Sequence, residues 1–571
     1  MDHIVLGLYD GPSGGAALLR DGALLAIAEE DRISRRTGVA GLPRAAVQTV
    51  LHATALPPDR IRAVVVATES ATYAEGVGGE RRLPLLVRVS ESIPSPAPLG
   101  RMIRDSFAAA RRRRIDEALR SEFGISCPVR FLDHHLAHAV GASIATGCPD
   151  SLAITMDRGA DGMWASVISF EQGRPQRIAG DPGSGSILAF LECVADQLSV
   201  PEGPDRFVRL EELAARGSHL HYEQLAPYVT FHEGFVRVDE SVLGRNATII
   251  RVRTSARKED VAASALTVAA EAVRRFCTHW YVRSDHERLA LGGDLFELPS
   301  MVRAVLEAPE IRGVRVAPAP GDSGLPLAAA FAACLPDFLP APQPLPQGEL
   351  PSPFVGISYT DETIGGILAR ESAEYHLRED IHQDVGRILA EGRTIARFHG
   401  PAEIGNLGLG NRAILRSPEG ESLRKGRLGF ALPSGAYHAM CTREAFADLF
   451  YADAEPAVMR NQPVPVEPVG TFPDRFPDLV GFGGKVRVHV VDESTNPDLH
   501  RVLTEFAEWS GVALLAAAPF RLPNEPLVSS PRDALRTFRL LGADYAAIGH
   551  YLVRADHEPA SKTLEPTSVR G

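Results

Sequence analysis

Seven of the 19 residues between positions 335 and 353 (LPDFLPAPQPLPQGELPSP) are proline. Proline has no backbone N–H and a fixed φ, so neither a helix interior nor a central strand runs through such a segment. It reads as a stiff, extended linker. It predicts two folded parts, residues 1–334 and 354–571, each long enough to bury its own core.

The first part alternates short apolar runs with amphipathic ones. Strands are predicted over 3–9, 15–19, 23–28, 62–67, 129–132, 151–156, 163–169 and 287–291. Helices are predicted over 44–55, 103–122, 134–146, 186–198 and 260–282. Arg20-Asp21-Gly22 joins two of the strands as a hairpin turn. A similar glycine-punctuated meander recurs over 151–179. Two related halves imply an internally duplicated α/β fold. The second part mixes strands (393–398, 485–491, 512–516) with helices (381–391, 498–510, 531–540), and its last 70 residues read strand–helix–strand–helix. It is predicted to be an α/β or α+β domain.

Charge narrows the function classes. The net charge is −12, and only four of the 60 basic residues are lysine: Lys258, Lys425, Lys485 and Lys562. An acidic chain displaces phosphate counterions poorly, so nucleic acid is not the expected partner. No apolar run approaches the roughly 18 residues of a membrane helix. Met1 leads directly into the strand-like IVLGLY, and the six cysteines form no CxxC pair. A reducing cytoplasmic setting is therefore expected, with no membrane association.

The local chemistry concentrates at Asp133-His134-His135-Leu136-Ala137-His138. Four residues turn a helix by about 400° and advance it about 6 Å, so His134 and His138 share one face. Two imidazoles so placed can share a metal, although polar residues at a helix start give the same pattern. Downstream, Asp157 ends an apolar strand and is followed by Gly159, Asp161 and Gly162. Strand ends of this kind are where α/β proteins bind ligands, and also where turn aspartates are common. Gly292-Gly293 ends another strand, as in a nucleotide-binding turn. Gly321-Asp322-Ser323-Gly324 opens a helix. Those glycines would let backbone approach a phosphate, and Asp322 would either cap the helix or bind a cation.

In order, DGALLAIAEEDRISRRTGVAGLP, HHLAHA, AITMDRGADG, LAARG, LALGGDLFE and APAPGDSGLPLAAA resemble successive motifs of the NodU/CmcH-type O-carbamoyltransferases. The likeness continues through HGPAEIGNLGLGNRAIL and PFRLPNEPLVSSPRDA, and spans about residues 3–553. It implies a duplicated actin/hexokinase-like (ASKHA) domain followed by a YrdC-like α/β domain. The second domain would make carbamoyl-adenylate from carbamoyl phosphate and ATP. The first, with a bound metal, would pass the carbamoyl group to a small-molecule acceptor in a biosynthetic pathway. The implied metal ligands are His134, His138, Asp157 and Asp322. The implied metal is iron, with magnesium or manganese as alternatives. Asp10, His135 and Asp161 are the expected catalytic groups, and Gly292, Gly293, Gly321, Gly324, Asn411, Arg412, Lys425 and Arg487 the expected nucleotide and phosphate contacts. The expected protein partners are a second copy of the chain or a pathway protein.

The sequence also departs from the family. The family's Gly-His-Asp-Ala-Ser turn is here Gly11-Pro12-Ser13-Gly14-Gly15, and proline cannot replace the histidine as a base. The family's Glu-x-Lys-x-Met-Gly-Leu-Ala segment is here Phe207–Ala214, which loses the glutamate, has Arg209 for the lysine and places a carboxylate at the glycine, and Glu297 takes the place of an asparagine. In the second part, Gly-Pro-Arg-Ala-Leu-Gly-Asn-Arg-Ser becomes Gly405–Ala413, losing one arginine. The Asp-Gly-Thr-Ala-Arg-Val-Gln motif becomes GGKVRVH, with His489 at the glutamine. Asn-Thr-Ser-Phe-Asn becomes Ala517-Ala518-Pro519-Phe520-Arg521. Three functions follow as expectations. The chain is a divergent carbamoyltransferase, an enzyme that keeps only the N-terminal metal site and has changed its donor or reaction, or an inactive paralogue that binds a partner.

Overall fold

The computed structural model describes residues 3–69, 98–181, 186–203, 206–239, 256–340, 342–344, 352–371, 373–419, 437–451 and 456–555. Lys425 and Lys562 lie outside them, as do residues 341 and 345–351 of the proline-rich segment.

The fold is mixed α/β. The first sheet contains β1 (Ile4–Tyr9), β2 (Gly15–Arg20), β3 (Ala23–Glu29), β4 (Ile61–Ala67) and β5 (Val129–Leu132). The second contains β6 (Ser151–Ala160), β7 (Met163–Glu171), β8 (Arg174–Asp181), β11 (Leu289–Gly292) and β12 (Val314–Val316). A separate hairpin, β9 (Val229–His232) with β10 (Phe235–Val238), was not legible in the sequence. The two five-stranded sheets repeat one topology. The orders are β3-β2-β1-β4-β5 and β8-β7-β6-β11-β12. In each, the leading strand starts an antiparallel meander on one side and on the other pairs in parallel with a later strand, which pairs in parallel with the last.

The labelled helices are α1 (Glu30–Ser34), α2 (Pro98–Phe123), α3 (His134–Ser143), α4 (Arg206–Ala214), α5 (Lys258–Tyr281), α6 (Leu325–Phe331), α7 (Ile381–Ala390) and α8 (Pro497–Ser510). Helices α3 and α6 form a layer between the two sheets. α6 packs on β1, β2 and β4, α3 packs on β6, β7 and β11, and the two helices pack on each other. Small residues permit this spacing. A Cβ on Gly7 of β1 would lie 2.2 Å from Pro326 O and 2.4 Å from Ala330 N, so no other residue lets α6 lie so close. At the helix crossing, a Cβ on Gly141 would sit 3.2 Å from the Ala328 methyl.

The third sheet has nine strands in the order β13-β21-β20-β14-β15-β19-β16-β18-β17. They are β13 (Tyr375–Leu377), β14 (Ile395–Phe398), β15 (Arg412–Arg416), β16 (His438–Thr442), β17 (Val464–Val466), β18 (Val486–Val491), β19 (Leu514–Pro519), β20 (Tyr545–Ile548) and β21 (Tyr551–Arg554). Among the described residues, the β20–β21 hairpin follows helix Pro531–Leu541, where the sequence pattern predicts a final helix.

The two parts share a core. One apolar cluster runs from Leu291, Met301 and Val305 of the second sheet's layer to Val464, Val488 and Ala518 of the third sheet. In the proline-rich segment, Gln343 Nε2 donates to His3 O at 2.8 Å, and Gln343 Oε1 accepts from Gly22 N at 2.7 Å. This stretch is thus docked along the first sheet. All six cysteines are free thiols. No helix among the described residues is long and apolar enough to cross a membrane.

Candidate metal centre and the cavity beside it

The first cluster lies at the C-terminal ends of the central strands of both sheets, where parallel α/β architecture opens a crevice. The Asp133 carboxylate accepts from Leu136 N at 2.8 Å and caps α3, so His134 is the first helical residue. One turn later His138 faces the same way, and the two Nε2 atoms are 3.1 Å apart. Asp157 sits where the β6–β7 register breaks between Met156 and Ala160. Such irregularities commonly re-aim a side chain beside a site. Its Oδ2 is 3.2 Å from His134 Nε2 and 3.1 Å from His138 Nε2. Asp322, just before α6, places Oδ1 3.6 Å from each imidazole.

The four expected ligands are therefore one cluster, with ligand atoms within 4.8 Å of one another. Atoms spaced about 3.3 Å apart leave a central point about 2.0 Å from each, the length of a bond from a first-row metal to nitrogen or oxygen. Asp322 Oδ1 is buried and has no hydrogen-bond partner, which a bound cation would supply. The donor set and its dimensions fit a divalent metal.

Surrounding groups hold these ligands in place. Tyr9 OH donates to Asp322 Oδ2 at 2.7 Å, and Asp322 N donates to Asp294 Oδ1 at 3.0 Å. Thr68 Oγ1 lies 2.9 Å from His134 Nδ1, which leaves Nε2 for the cluster. Thr68 has φ of +83°, a strained value for a β-branched residue, of the kind found at functional sites. None of Tyr9, Thr68 and Asp294 stood out in the sequence. Tyr9 and Thr68 end strands as Asp157 does, and Asp294 follows the paired glycines.

The electrostatics are dominated by carboxylates. Burial works against charge on Asp157, but the hydrogen bonds of His134 and His138 hold it well below the usual carboxylate range. Burial also opposes charge on His138, and the Asp157 and Asp322 carboxylates overcome it, holding the imidazole up at about 10. Burial, with Asp157 and Asp322, pushes Asp294 well above its ordinary value. Burial, then Asp322 and Asp157, push Glu297 up to about 7. Four carboxylates around two imidazoles form a cation-attracting site.

The expected catalytic groups lie around this cluster. Asp10 is ion-paired with Arg111 of α2, whose Nε donates to Asp10 Oδ2 at 2.7 Å. Asp161 Oδ2 accepts from His134 N at 2.8 Å and Glu69 N at 2.9 Å, bracing the start of α3. His135 is fully buried, with Nδ1 2.8 Å from Thr155 Oγ1 and Nε2 3.0 Å from Met163 O. Burial, aided by His134, pushes its pKa down to about 4. Both of its nitrogens are engaged away from the cluster.

The glycines are enclosed by protein. A Cβ on Gly292 would lie 2.8 Å from His138 O, and one on Gly293, at φ +102°, 2.1 Å from Met156 O. On Gly321 it would meet the Glu297 and Asp294 carboxylates at 2.5 and 2.6 Å, and on Gly324 it would meet Ala319 O at 2.1 Å. These positions let the helix that carries His134 and His138 and the neighbouring strand ends close around one another.

In the second part, Arg412 is completely buried. Its guanidinium donates to the carbonyls of His399, Asn411, Ile357 and Gly400 and lies 3.7 Å from the Phe398 ring centroid. Asn411 Oδ1 accepts from Arg397 and Asn496, and its Nδ2 donates to Pro401 O. The structure thus engages both expected nucleotide contacts internally. Lys425 lies outside the described residues. Arg487 Nη2 donates to Tyr437 O at 3.2 Å, and Arg487 lines a cavity of about 110 Å³ between the two parts. Arg209, Glu212 and Glu297 form the wall from one part, and His438, Arg487 and Arg521 from the other. Glu297 is common to this wall and to the carboxylate group around the metal cluster.

Comparison with known proteins agrees with the sequence motifs. Residues 386–555 match the family described as Carbamoyltransferase C-terminus. Nodulation protein NolNO of Sinorhizobium fredii is 26% identical over 567 residues, covering 95% of this chain and 78% of that protein. The 3'-hydroxymethylcephem-O-carbamoyltransferase of Amycolatopsis lactamdurans is 28% identical over 185 residues, 32% of this chain and 34% of the enzyme. Component A of (R)-2-hydroxyglutaryl-CoA dehydratase from Acidaminococcus fermentans superposes at a TM-score of 0.35 with 16% identity, covering 58% of this chain and 96% of that one. Residues 386–555 are thus a carbamoyltransferase C-terminal region, and the chain is similar to carbamoyltransferases of the NodU/CmcH type.

Proposed function

We propose that this protein transfers a carbamoyl group to a hydroxyl or amine of a small-molecule acceptor, with the cluster of His134, His138, Asp157 and Asp322 as the transfer site. The observation that carries this reading is that four residues from three separated segments place their ligand atoms within 4.8 Å of one another, beside a cavity between the two parts. These four would hold a divalent metal, with iron, magnesium and manganese as candidates. When bound, it would supply a positive charge that stabilises oxygens gaining negative charge. The chain's own residues do the rest. Tyr9 and Thr68 fix ligand orientation. Arg209, Arg487 and Arg521 in the cavity wall are the cationic groups placed to hold phosphate or carboxylate oxygens. The repeated strand order supports assigning residues 1–334 to a duplicated actin/hexokinase-like domain, and residues 354–571, which contain the matched carbamoyltransferase C-terminal region, would be the YrdC-like donor domain.

The donor would be carbamoyl-adenylate formed from carbamoyl phosphate and ATP. A second reading is favoured by one specific observation: Arg412 and Asn411 are engaged by internal partners. In that reading the chain accepts a ready-made donor and forms none itself. One experiment separates them. Metal-loaded protein is incubated with carbamoyl phosphate and ATP, and pyrophosphate release is followed. In parallel it is given synthetic carbamoyl-adenylate, and adenylate release is followed, with water taking the carbamoyl group in place of the acceptor. Release of pyrophosphate supports the full reaction, and consumption of carbamoyl-adenylate alone supports the second reading. Loss of turnover in Asp157→Asn is expected in either case. Failure of both assays across iron, magnesium and manganese would leave the inactive paralogue as the reading.

A further inference from the structure

A second cluster of metal-binding side chains lies in the third sheet, on residues that the transfer reaction above does not use. His399 immediately follows β14, and His550 occupies the turn after β20. These two strands are parallel neighbours, so both histidines emerge at the same sheet edge. His382 is the second residue of α7 and Asp498 the second residue of α8. The two helices pack against each other and bring their first turns to that edge. The His382 and His399 ring centroids are 5.0 Å apart, and that of His550 lies 5.4 Å from His399 and 6.1 Å from His382.

Asp498 is the common partner. Its Oδ2 is 3.0 Å from His399 Nε2, and its Oδ1 is 3.4 Å from His382 Nε2. Ligand atoms of all three lie within 4.8 Å of one another. Both histidines are buried, at 8% and 7% exposure, whereas the Asp498 side chain is 48% exposed, so solvent reaches the cluster from the aspartate side.

The proton inventory points to a cation. His399 Nδ1 lies 3.3 Å from Gly549 O. Asp498 Oδ2 faces Nε2 of the same ring at 3.0 Å, and it too is an acceptor. A neutral imidazole carries one hydrogen, so it satisfies either Gly549 O or Asp498 but not both. With the hydrogen on Nδ1, a metal ion between Nε2 and the carboxylate satisfies the second contact. A metal ion satisfies two imidazoles and a carboxylate at once.

The supporting shell is of the kind that fixes metal ligands. His550 Nδ1 is 2.7 Å from Asp361 Oδ2, a carboxylate–imidazole pair that sets the ring's tautomer. Asn496 caps α8 by accepting from Leu499 N, and its Nδ2 donates to the buried Asn411, which holds Asp498 at the start of a rigid helix.

We propose that His382, His399 and Asp498 form a second divalent-cation site, suited to zinc or a similar first-row ion, with His550 and Asp361 flanking it. Two histidines and one carboxylate, with no thiolate, are a donor set that zinc accepts, and three protein ligands leave a position open to solvent or an oxygen ligand.

The test uses the full-length chain carrying Asp157→Asn, which removes the first cluster's shared carboxylate. After chelation and dialysis, zinc alone is titrated by calorimetry, and cobalt alone by visible absorption. One ion per chain is expected. Adding His382→Gln and His399→Gln should weaken binding by about 100-fold, and Asp498→Asn by at least about 10-fold. The half-exposed aspartate variant keeps the test open if the histidine variants do not fold. No zinc bound by a chain whose melting curve matches the parent overturns the proposal. So does binding that none of these substitutions changes.

Discussion

Arg32 is where the two parts of the chain are joined by buried charge, and its removal has a calculable result. Its guanidinium, on α1, donates to Glu403 O at 2.6 Å and also to Gly405 O, and it pairs with Glu29 Oε2 at 2.6 Å. Glu29 Oε1 in turn accepts from Gly405 N at 2.8 Å. Arg32 and Glu29 are 5% and 7% exposed, so little solvent screening applies. Arg32→Met keeps the apolar stem but leaves a buried carboxylate and two carbonyls without their donor. Breaking a buried pair from one side costs about 3–5 kcal/mol. The cost depends on pH. Burial already raises the Glu29 pKa against the pull of Arg32, and losing Arg32 raises it further. A carboxyl whose folded pKa lies above its unfolded value binds its proton more tightly when folded. Stability therefore falls as pH rises from the unfolded pKa through the folded one. Urea melts should show the largest loss at pH 8 and a smaller one at pH 5. Glu29→Gln in the Arg32→Met background should restore about 1–3 kcal/mol at pH 8, a coupling expected of contacting residues. A pH-independent cost below about 1 kcal/mol, or strict additivity of the two substitutions, would refute this account of the joint.

Two further outcomes are expected. Gly293→Ala introduces a side chain at φ +102° and 2.1 Å from Met156 O. Backbone strain and overpacking together should cost about 2–5 kcal/mol and displace Asp157 from its ligands, seen as a lower melting temperature and loss of bound metal; an unchanged melt contradicts the packing role of this glycine. Glu211 is buried on α4, which raises its pKa, and it accepts from Ser300 N at 3.1 Å. A neutral glutamine keeps that bond and avoids the buried charge, so Glu211→Gln should raise the melting temperature at pH 8 and leave it unchanged at pH 4; a destabilised variant at pH 8 overturns this.

His134, His138, Asp157 and Asp322 were legible as one set through the family resemblance, and each also carries a local signal. The His134–His138 spacing is a property of one helix turn, and Asp157 and Asp322 lie where an apolar run meets glycine. Residues that only tertiary packing brings in were not legible. Tyr9, Thr68 and Asp294 carry no spacing rule that relates them to Asp322 or His134. The second cluster joins residues 382, 399, 498 and 550, whose separations follow no helical or strand period. Arg412 shows the converse limit. A motif arginine reads as a phosphate contact in the sequence, but here four carbonyls and the Phe398 ring enclose it. The short β9–β10 and β20–β21 hairpins escaped for a simpler reason: four-residue strands are too brief to establish a period-2 pattern.

The core shared by the two parts also has a consequence in time. Helix Pro299–Leu306 packs on β17, and their apolar residues belong to one cluster. A ribosome adding roughly 5–20 residues per second needs about 8–30 s to travel from one to the other. During that interval the nascent helix has made its apolar face but not the strand that covers it. Folding of the second sheet's layer is therefore completed after most of the third sheet has been synthesised. A fragment truncated at the proline-rich segment would hold that uncovered face permanently, and aggregation would compete with its folding.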